Sequence, residues 1–314
     1  MAKSEALNGR LVVLMGGSGF VGRYVAQALL ERGARLRIAS RNPEKAFSLK
    51  PLANLGQLQF ARCNVRDRRN VEQCISGADA VVNLVGSFEG DLGKLMGESA
   101  GWMAAAAAQT GASAFVQVSA IAADPQGTSE YARAKWRGEE LVRENFPNAT
   151  ILRPSILFGE DDSFLTMFAD LIKTFPVLPV FGPEACLQPV FVDDVAEAVV
   201  HTLEDPARFG GKIFELGGPE RLTMIEINRR IAAAQRRKRT FLPMPDGVSG
   251  AFAAMPGTPM SSDQWGLLKS GNVVSGDHPG FEKLGITPKP LGLFLDRWMT
   301  RYRKHGRFAG RIHA

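Results

Sequence analysis

The sequence predicts an α/β protein: a doubly wound parallel sheet with a smaller C-terminal lobe. Three observations carry this. Short, continuous apolar runs in the first half alternate with stretches of helical periodicity, as strands buried on both faces and joined by crossover helices do. A glycine-rich segment, Gly16 to Gly22, follows the first run and opens the first helical stretch. In the second half, Pro176, Pro179, Pro183 and Pro189, and then Pro243, Pro245, Pro256 and Pro259, break the regular pattern into loops and short pieces.

Taken in order, Leu11 to Met15 reads as a strand, Val21 to Leu30 as a helix and Arg35 to Ala39 as a second strand. Leu58 to Ala61, Ala80 to Val85, Phe115 to Val118 and Thr150 to Leu152 continue the strand series. The alanine run 104–108 reads as helix interior, since alanine loses least on entering a helix. The first domain is expected over residues 8–155, completed by a return strand near 189–192. Residues 156–314 supply most of the C-terminal lobe, expected over the strand ends where open α/β sheets bind ligands. Within it, Asp193 or Asp194 is positioned to cap a helix over Val195 to Leu203. Thr223 with Glu226 forms a capping box ahead of Ile227 and Ile231.

Composition sets outer limits. The 314 residues are 45% hydrophobic and 22% charged, ordinary globular usage. No apolar stretch approaches the ~20 residues of a membrane span. The N-terminal apolar run ends in glycines instead of a small-residue cleavage site, so no signal peptide and a cytoplasmic start are expected. Three cysteines without CxxC spacing fit a reducing compartment and give no metal site. The net charge of +6 divides unevenly: residues 1–220 hold 22 Lys and Arg against 26 Asp and Glu, whereas 221–314 hold 16 against 6. Two clusters dominate the basic third, Arg229 to Arg239 and Arg297 to Arg311.

The glycines at 16, 19 and 22 have the spacing and the strand-to-helix context of a dinucleotide turn, in which backbone amides and a helix N-terminus receive the pyrophosphate. Gly16, Ser18, Gly19, Phe20, Val21 and Gly22 are therefore candidate cofactor contacts, and the sheet is expected to be Rossmann-type. An NAD site usually places Asp or Glu at the end of the second strand. Here that position reads Ala39-Ser40-Arg41-Asn42, with no carboxylate before Glu44. Ser40 and Arg41 suit a 2′-phosphate, so NADP(H) is favoured over NAD(H); the alternative is that Arg41 is a solvated loop residue.

Further along, Asn64-Val65 follows the third strand, Asn83-Leu84-Val85-Gly86 the fourth, Val118-Ser119 ends the fifth, and Tyr131-x-x-x-Lys135 lies on the next helix. In this order the motifs resemble the extended or atypical branch of the short-chain dehydrogenase/reductase superfamily. That resemblance implies Asn64 and Val65 against adenine, Val85 and Gly86 near a ribose, and Pro154 beside the nicotinamide. The segments Asn145 to Asp162 and Gln188 to Val195, with Leu284-Gly285-Ile286, are similar more narrowly to the alpha-subcomplex subunit 9 family of respiratory complex I and its bacterial relatives.

By the same resemblance Tyr131 is the acid/base for hydride transfer, and Lys135 lowers its pKa and holds the nicotinamide ribose. The i, i+4 spacing puts both on one helix face. Ser119 takes the first serine position, but Ala120 and Ile121 stand where the superfamily's catalytic hydroxyl usually lies. Two functions follow: an NAD(P)H-binding accessory or assembly protein of complex I with weak or no turnover, or an NADP(H)-dependent reductase or epimerase-like enzyme. The second would act on a hydrophobic or quinone-related substrate, as in ubiquinone biosynthesis. His201, His278, His305 and His313 lack metal-ligand spacing, and Glu160-Asp161-Asp162 reads as a loop and helix start.

The basic third carries no recognised nucleic-acid reader, which disfavours that partner. Arg236-Arg237-Lys238-Arg239 followed by Phe241 to Met244, and by Phe252, reads as a basic collar beside apolar residues. It suits an anionic membrane surface, or else these apolar residues cover the substrate cleft. The expected location is cytoplasmic, peripheral on the cytoplasmic face of the inner membrane.

Overall fold

A computed structural model describes residues 6–255 and 260–304. His305, His313 and the end of the second basic cluster lie outside the described residues, as do Pro256 and Pro259. The chain divides into two compact units: Met1–Pro154 with Val192–Leu216 and Ser275–Thr287, and Ser155–Phe191 with Gly217–Val274 and Pro288–Ala314.

The first unit is a parallel sheet between two helical layers. Its strands are β1 (Leu11–Met15), β2 (Arg35–Ser40), β3 (Leu58–Arg62), β4 (Ala80–Asn83), β5 (Ala114–Val118) and β6 (Thr150–Pro154), with Ile213–Leu216 as the seventh among the described residues. From one edge the order is Ile213–Leu216, β6, β5, β4, β1, β2, β3. The order therefore reverses at β1, where Met15 lies between Ala39 of β2 and Asn83 of β4. Ligands of open α/β sheets sit at such a reversal, beyond the carboxyl ends of the strands. The strands are joined by α1 (Phe20–Glu31), α2 (Arg68–Ile75), α3 (Ser99–Gln109) and α4 (Glu130–Asn145). Val13 and Met15 of β1, Val81 of β4 and Phe115 of β5 pack with α2, α3 and α4 through Val71, Ile75, Met103, Ala107 and Val142. Side chains alternate across a strand, so the other face of the sheet is left to α1 and the helix Val192–Glu204, which Arg32 and Glu197 join at 2.6 Å. A Cβ at Gly138 of α4 would collide with Met96 O, so this glycine lets α4 close onto the turn that leads into α3.

Two expectations are corrected. The return strand is Ile213–Leu216, whereas Val190–Phe191 pairs only with Leu157–Phe158 in a separate ladder within the second unit. Pro189 offers no N–H ahead of that pair, and the next helix begins at Val192, so nothing longer forms. That helix also starts earlier than expected, placing Asp193 and Asp194 inside its first turn, where they complement the dipole.

In the second unit Asp162 caps the helix Ser163–Thr174, accepting from Leu165 N at 2.6 Å. The Thr223 and Glu226 capping box forms as expected. Phe158, Phe191, Phe294 and Trp298 pack as an aromatic cluster. Several arginines of the basic clusters serve this framework. Arg237 donates to Tyr302 O, Arg239 to Ile172 O, Arg301 to Glu160 O and Arg303 to Ala234 O. Phe252 stacks on Phe181 at 4.5 Å, so it belongs to the unit's packing and not to an exposed collar.

Candidate functional site

The turn after β1 is built by its glycines. Gly16 has φ +81°, a left-handed conformation that favours glycine, and its N–H donates to Ala39 O at 2.8 Å. A Cβ at Gly22 would collide with Gly17 O, so this glycine lets α1 start tight against the turn. Gly19 differs. A Cβ there meets only Gly16 O, at an ordinary 3.4 Å, so the protein itself does not demand a glycine. Gly19 is exposed at the N-cap of α1, with no side-chain cap and no acidic residue in the first turn. The first amides of the helix are thus left to an external acceptor, which is what a pyrophosphate supplies. Ser18, Phe20 and Val21 are half-buried around the same turn.

Two hydroxyls extend the argument. Ser40, ending β2, and Ser119, following β5, are both buried, and neither Oγ has a hydrogen-bond partner. Leaving a buried hydroxyl unpaired is costly, about 1–3 kcal/mol. Both stand at carboxyl ends of strands, the edge where a dinucleotide would lie. Arg41 is exposed beside Ser40 and lines a cavity of about 310 Å³ with Arg62, Cys63, Asn64, Val65, Arg66 and Leu95. Arg62 and Arg66 have no place among the sequence-derived candidates, although they flank Asn64-Val65. Among the described residues none of the three arginines forms an ion pair, so the cavity presents uncompensated positive charge.

On the other side of the sheet reversal, Asn83 ties down the turn after β4. Its Oδ1 accepts from Val85 N at 3.0 Å, and its Nδ2 donates to Gln117 Oε1 at 2.9 Å. This fixes Val85 and the exposed Gly86. Lys135, on α4 and 3% exposed, donates to Val85 O and to Val118 O, each at 3.1 Å. An ammonium has three protons, so one remains for a ribose hydroxyl. Burial lowers Lys135 to about 8, with Glu139 opposing the shift. Tyr131 lies one turn earlier with its ring stacked on Phe88 at 4.5 Å and Lys135 Nζ 5.8 Å from the ring centroid. Burial pushes its phenol up to about 12, so it is a neutral acid at neutral pH. Pro154 ends β6, where its carbonyl accepts from Ile121 N at 3.1 Å. Ala120 and Ile121 themselves offer no side-chain donor.

The left-handed glycine turn, the unpartnered hydroxyls of Ser40 and Ser119 and the buried Lys135 fit a dinucleotide. Among the described residues no cluster of His, Cys, Asp and Glu is arranged to hold a metal. His201 instead packs with Nδ1 2.9 Å from Leu284 O.

Comparison with known proteins agrees with this geometry. Residues 16–206 match the NAD(P)H-binding family. The NADPH-dependent quinone oxidoreductase of Escherichia coli, solved with NADPH, superposes with a TM-score of 0.74 at 16% identity, over 91% of this chain and 99% of its own, a likeness of fold. The ceramide reductase of Caulobacter vibrioides is 27% identical over 85% of this chain and 81% of its own. The mitochondrial NADH dehydrogenase [ubiquinone] 1 alpha subcomplex subunit 9 of Mus musculus is 30% identical, over 96% of this chain and 82% of its own. With that likeness running through nearly the whole chain and an NAD(P)H-binding unit at its core, the chain belongs to the alpha-subcomplex subunit 9 family.

Proposed function

We propose that this chain is an NADP(H)-binding accessory or assembly subunit of respiratory complex I with weak or no turnover. One observation carries the proposal: a complete dinucleotide cradle is joined to an incomplete catalytic set. Gly16, Gly19, Gly22, Ser40, Arg41, Asn64, Val65, Val85, Gly86 and Lys135 would hold the cofactor, while Ala120 and Ile121 leave Ser119 as the sole side-chain hydroxyl of residues 119–121. Arg41 at the end of β2, with Arg62 and Arg66 in the same cavity, supports NADP(H) over NAD(H), because a 2′-phosphate neutralises them. Relatives named as NADH dehydrogenase and NADH-ubiquinone oxidoreductase subunits direct the reading to complex I. No described helix is long and apolar enough to cross a membrane, so the chain would attach peripherally, on the cytoplasmic face of the inner membrane. The apolar surface of the second unit is the part suited to an anionic bilayer.

A second reading is favoured by the unpartnered Ser119 Oγ and by the ceramide reductase relative: reduction of a carbonyl on a hydrophobic, quinone-related substrate. NADP(H) would supply the hydride. Tyr131, a neutral phenol, would give its proton to the substrate oxygen, Ser119 would hold that oxygen, and Lys135 would hold the cofactor's ribose.

Co-purification and one variant separate the readings. Complex I subunits should be recovered with the tagged chain from solubilised membranes, and Tyr131→Phe should leave that recovery and complex I activity intact. Loss of function with Tyr131→Phe, in a protein that recovers no complex I subunits, would establish the reductase instead.

A further inference from the structure

Neither reading uses a pair of buried nucleophiles beside the arginine-lined cavity. Cys63 directly follows β3, and Cys74 lies in the last turn of α2. Each thiol acts directly on the ionisation of the other. Each sulfur also lies against the other's segment: Cys63 Sγ is 4.0 Å from Asn70 O, and Cys74 Sγ is 3.9 Å from Arg62 O. Cys63 is fully buried from bulk solvent yet lines the cavity between Arg62 and Asn64, and Cys74 is 6% exposed.

The surroundings make the two thiols unequal. The Cys63 thiol and the guanidinium of Arg37 hold Cys74 down to about 7 against the opposing effect of burial. Arg37 is itself fixed by donating to Cys74 O and Ser76 O, each at 2.8 Å. The Cys74 thiol, together with burial, pushes Cys63 well above the ordinary thiol range. Of the two neighbouring thiols, Cys74 is therefore the readier to ionise and Cys63 the one that keeps its proton. An attacking thiolate with a resolving thiol beside it is the arrangement that forms a disulfide instead of stopping at higher oxidation states.

We propose that Cys63 and Cys74 are a peroxide-oxidised dithiol whose disulfide closes at the adenosine end of the dinucleotide pocket and weakens cofactor binding. The Cys74 thiolate attacks one oxygen of hydrogen peroxide, the O–O bond breaks, and Cys74 becomes a sulfenic acid as hydroxide leaves. The Cys63 sulfur then attacks the Cys74 sulfur. The S–S bond forms, the S–O bond breaks, and the sulfenic oxygen departs as water with the proton of Cys63. Counting the proton that Cys74 had released to solvent, two thiols and one peroxide give one disulfide and two waters.

The coupling to the pocket is geometric and rests on the NADP(H) reading of that pocket. A disulfide brings its two sulfurs to a bond of about 2.05 Å, so the segments that carry Cys63 and Cys74 must close on each other. Cys63 sits between Arg62 and Asn64, so its movement displaces two residues of the cavity wall together.

The test uses the full chain, reduced, and treated with hydrogen peroxide or with buffer alone. Alkylation, non-reducing digestion and mass spectrometry should find one Cys63 to Cys74 cross-link, with Cys186 still alkylated. NADPH fluorescence titration should show binding about tenfold weaker in the oxidised protein, restored by dithiothreitol. In Cys63→Ser, Cys74 should be trapped as a sulfenic acid by dimedone and no cross-link should form. Two thiols that remain alkylatable after peroxide would overturn the proposal, as would a cross-link that leaves NADPH affinity unchanged. A reduced protein that binds no NADPH would instead remove the cofactor reading and the coupling with it, while the cross-link still decides the dithiol.

Discussion

Arg153 on β6 grips Glu139 on α4 in a two-point fork, Nε to Oε1 at 2.9 Å and Nη2 to Oε2 at 2.7 Å. Glu139 is fully buried and stands one helical turn after Lys135, the spacing at which a glutamate would otherwise pair with the ammonium. The fork occupies both carboxylate oxygens. Lys135 is therefore left to the carbonyls of Val85 and Val118 and keeps only the field of Glu139. The arginine is in turn within the field of Glu215, whose carboxylate accepts from Ser275 N at 2.7 Å.

Removing Arg153 strands a buried carboxylate, so Arg153→Met should destabilise the fold by about 3–5 kcal/mol. Replacing both partners with apolar residues, Arg153→Met with Glu139→Leu, should recover part of that loss, because no uncompensated charge then remains at position 139. Chemical denaturation of the single and double variants measures both. A double variant less stable than Arg153→Met alone would show that the fork matters for shape and not for charge.

Lys135 makes two pH dependences run in opposite directions. Its folded value, about 8, lies below the ordinary 10.5, so between these values the unfolded chain binds more protons than the folded one. Its contribution to stability therefore rises with pH through that window. Cofactor binding should do the reverse: the ammonium below about 8 draws in an anionic dinucleotide, and the neutral amine above it does not. NADPH titrations on either side of pH 8 should show affinity falling as pH rises. Lys135→Met should lower the affinity and remove that step.

The choice of dinucleotide should reside at the end of β2. Arg41→Ala should weaken NADPH binding by about tenfold or more, since a charge-assisted contact to a phosphate contributes roughly 1.5–3 kcal/mol. NADH binding should change little. Paired titrations of both cofactors read the ratio directly, and an equal loss for both would place Arg41 on a part of the ligand that they share.

How much of this was legible in the chain follows from what each feature depends on. β1 is an uninterrupted apolar run, as a parallel strand buried on both faces reads, and β2 to β6 carry shorter apolar runs interrupted or ended by Arg37, Gln59, Asn83, Gln117 and Arg153. The glycine turn was legible because its conformation excludes other residues at Gly16 and its packing excludes them at Gly22. The seventh strand escaped notice because Glu215 breaks its apolar pattern; only the fold brings Ser275 to satisfy that carboxylate. The stacking of Phe88 on Tyr131 depends on a loop path, and the contact of Cys63 with Cys74 on how β3 meets α2, so neither has a local signature. The basic clusters misled for a related reason. Arg237, Arg239 and Arg301 look unpaired in sequence because their acceptors are carbonyls, which every residue has, and Arg303 divides its donors between such carbonyls and the Asp296 carboxylate.

What remains of a docking surface is smaller and more specific than the charge count suggests. Met167, Leu171 and Phe175 are spaced four apart along and just past the helix Ser163–Thr174, and each is more than a third exposed. Val177 and Leu242 are exposed on the ladder that pairs Val177–Val180 with Thr240–Pro243. Arg236 and Lys238 are exposed as well, in contrast to their half-buried neighbours Arg237 and Arg239. If this surface meets an anionic bilayer, the chain should float with phosphatidylglycerol vesicles at low salt. Raising the salt should weaken flotation, since each surface Lys or Arg contributes about 1 kcal/mol that screening removes. Leu171→Asp with Phe175→Asp should abolish flotation while leaving NADPH binding unchanged, because both substitutions lie in the second unit and the dinucleotide cradle lies in the first. Absence of flotation at either salt would remove the membrane reading of this surface.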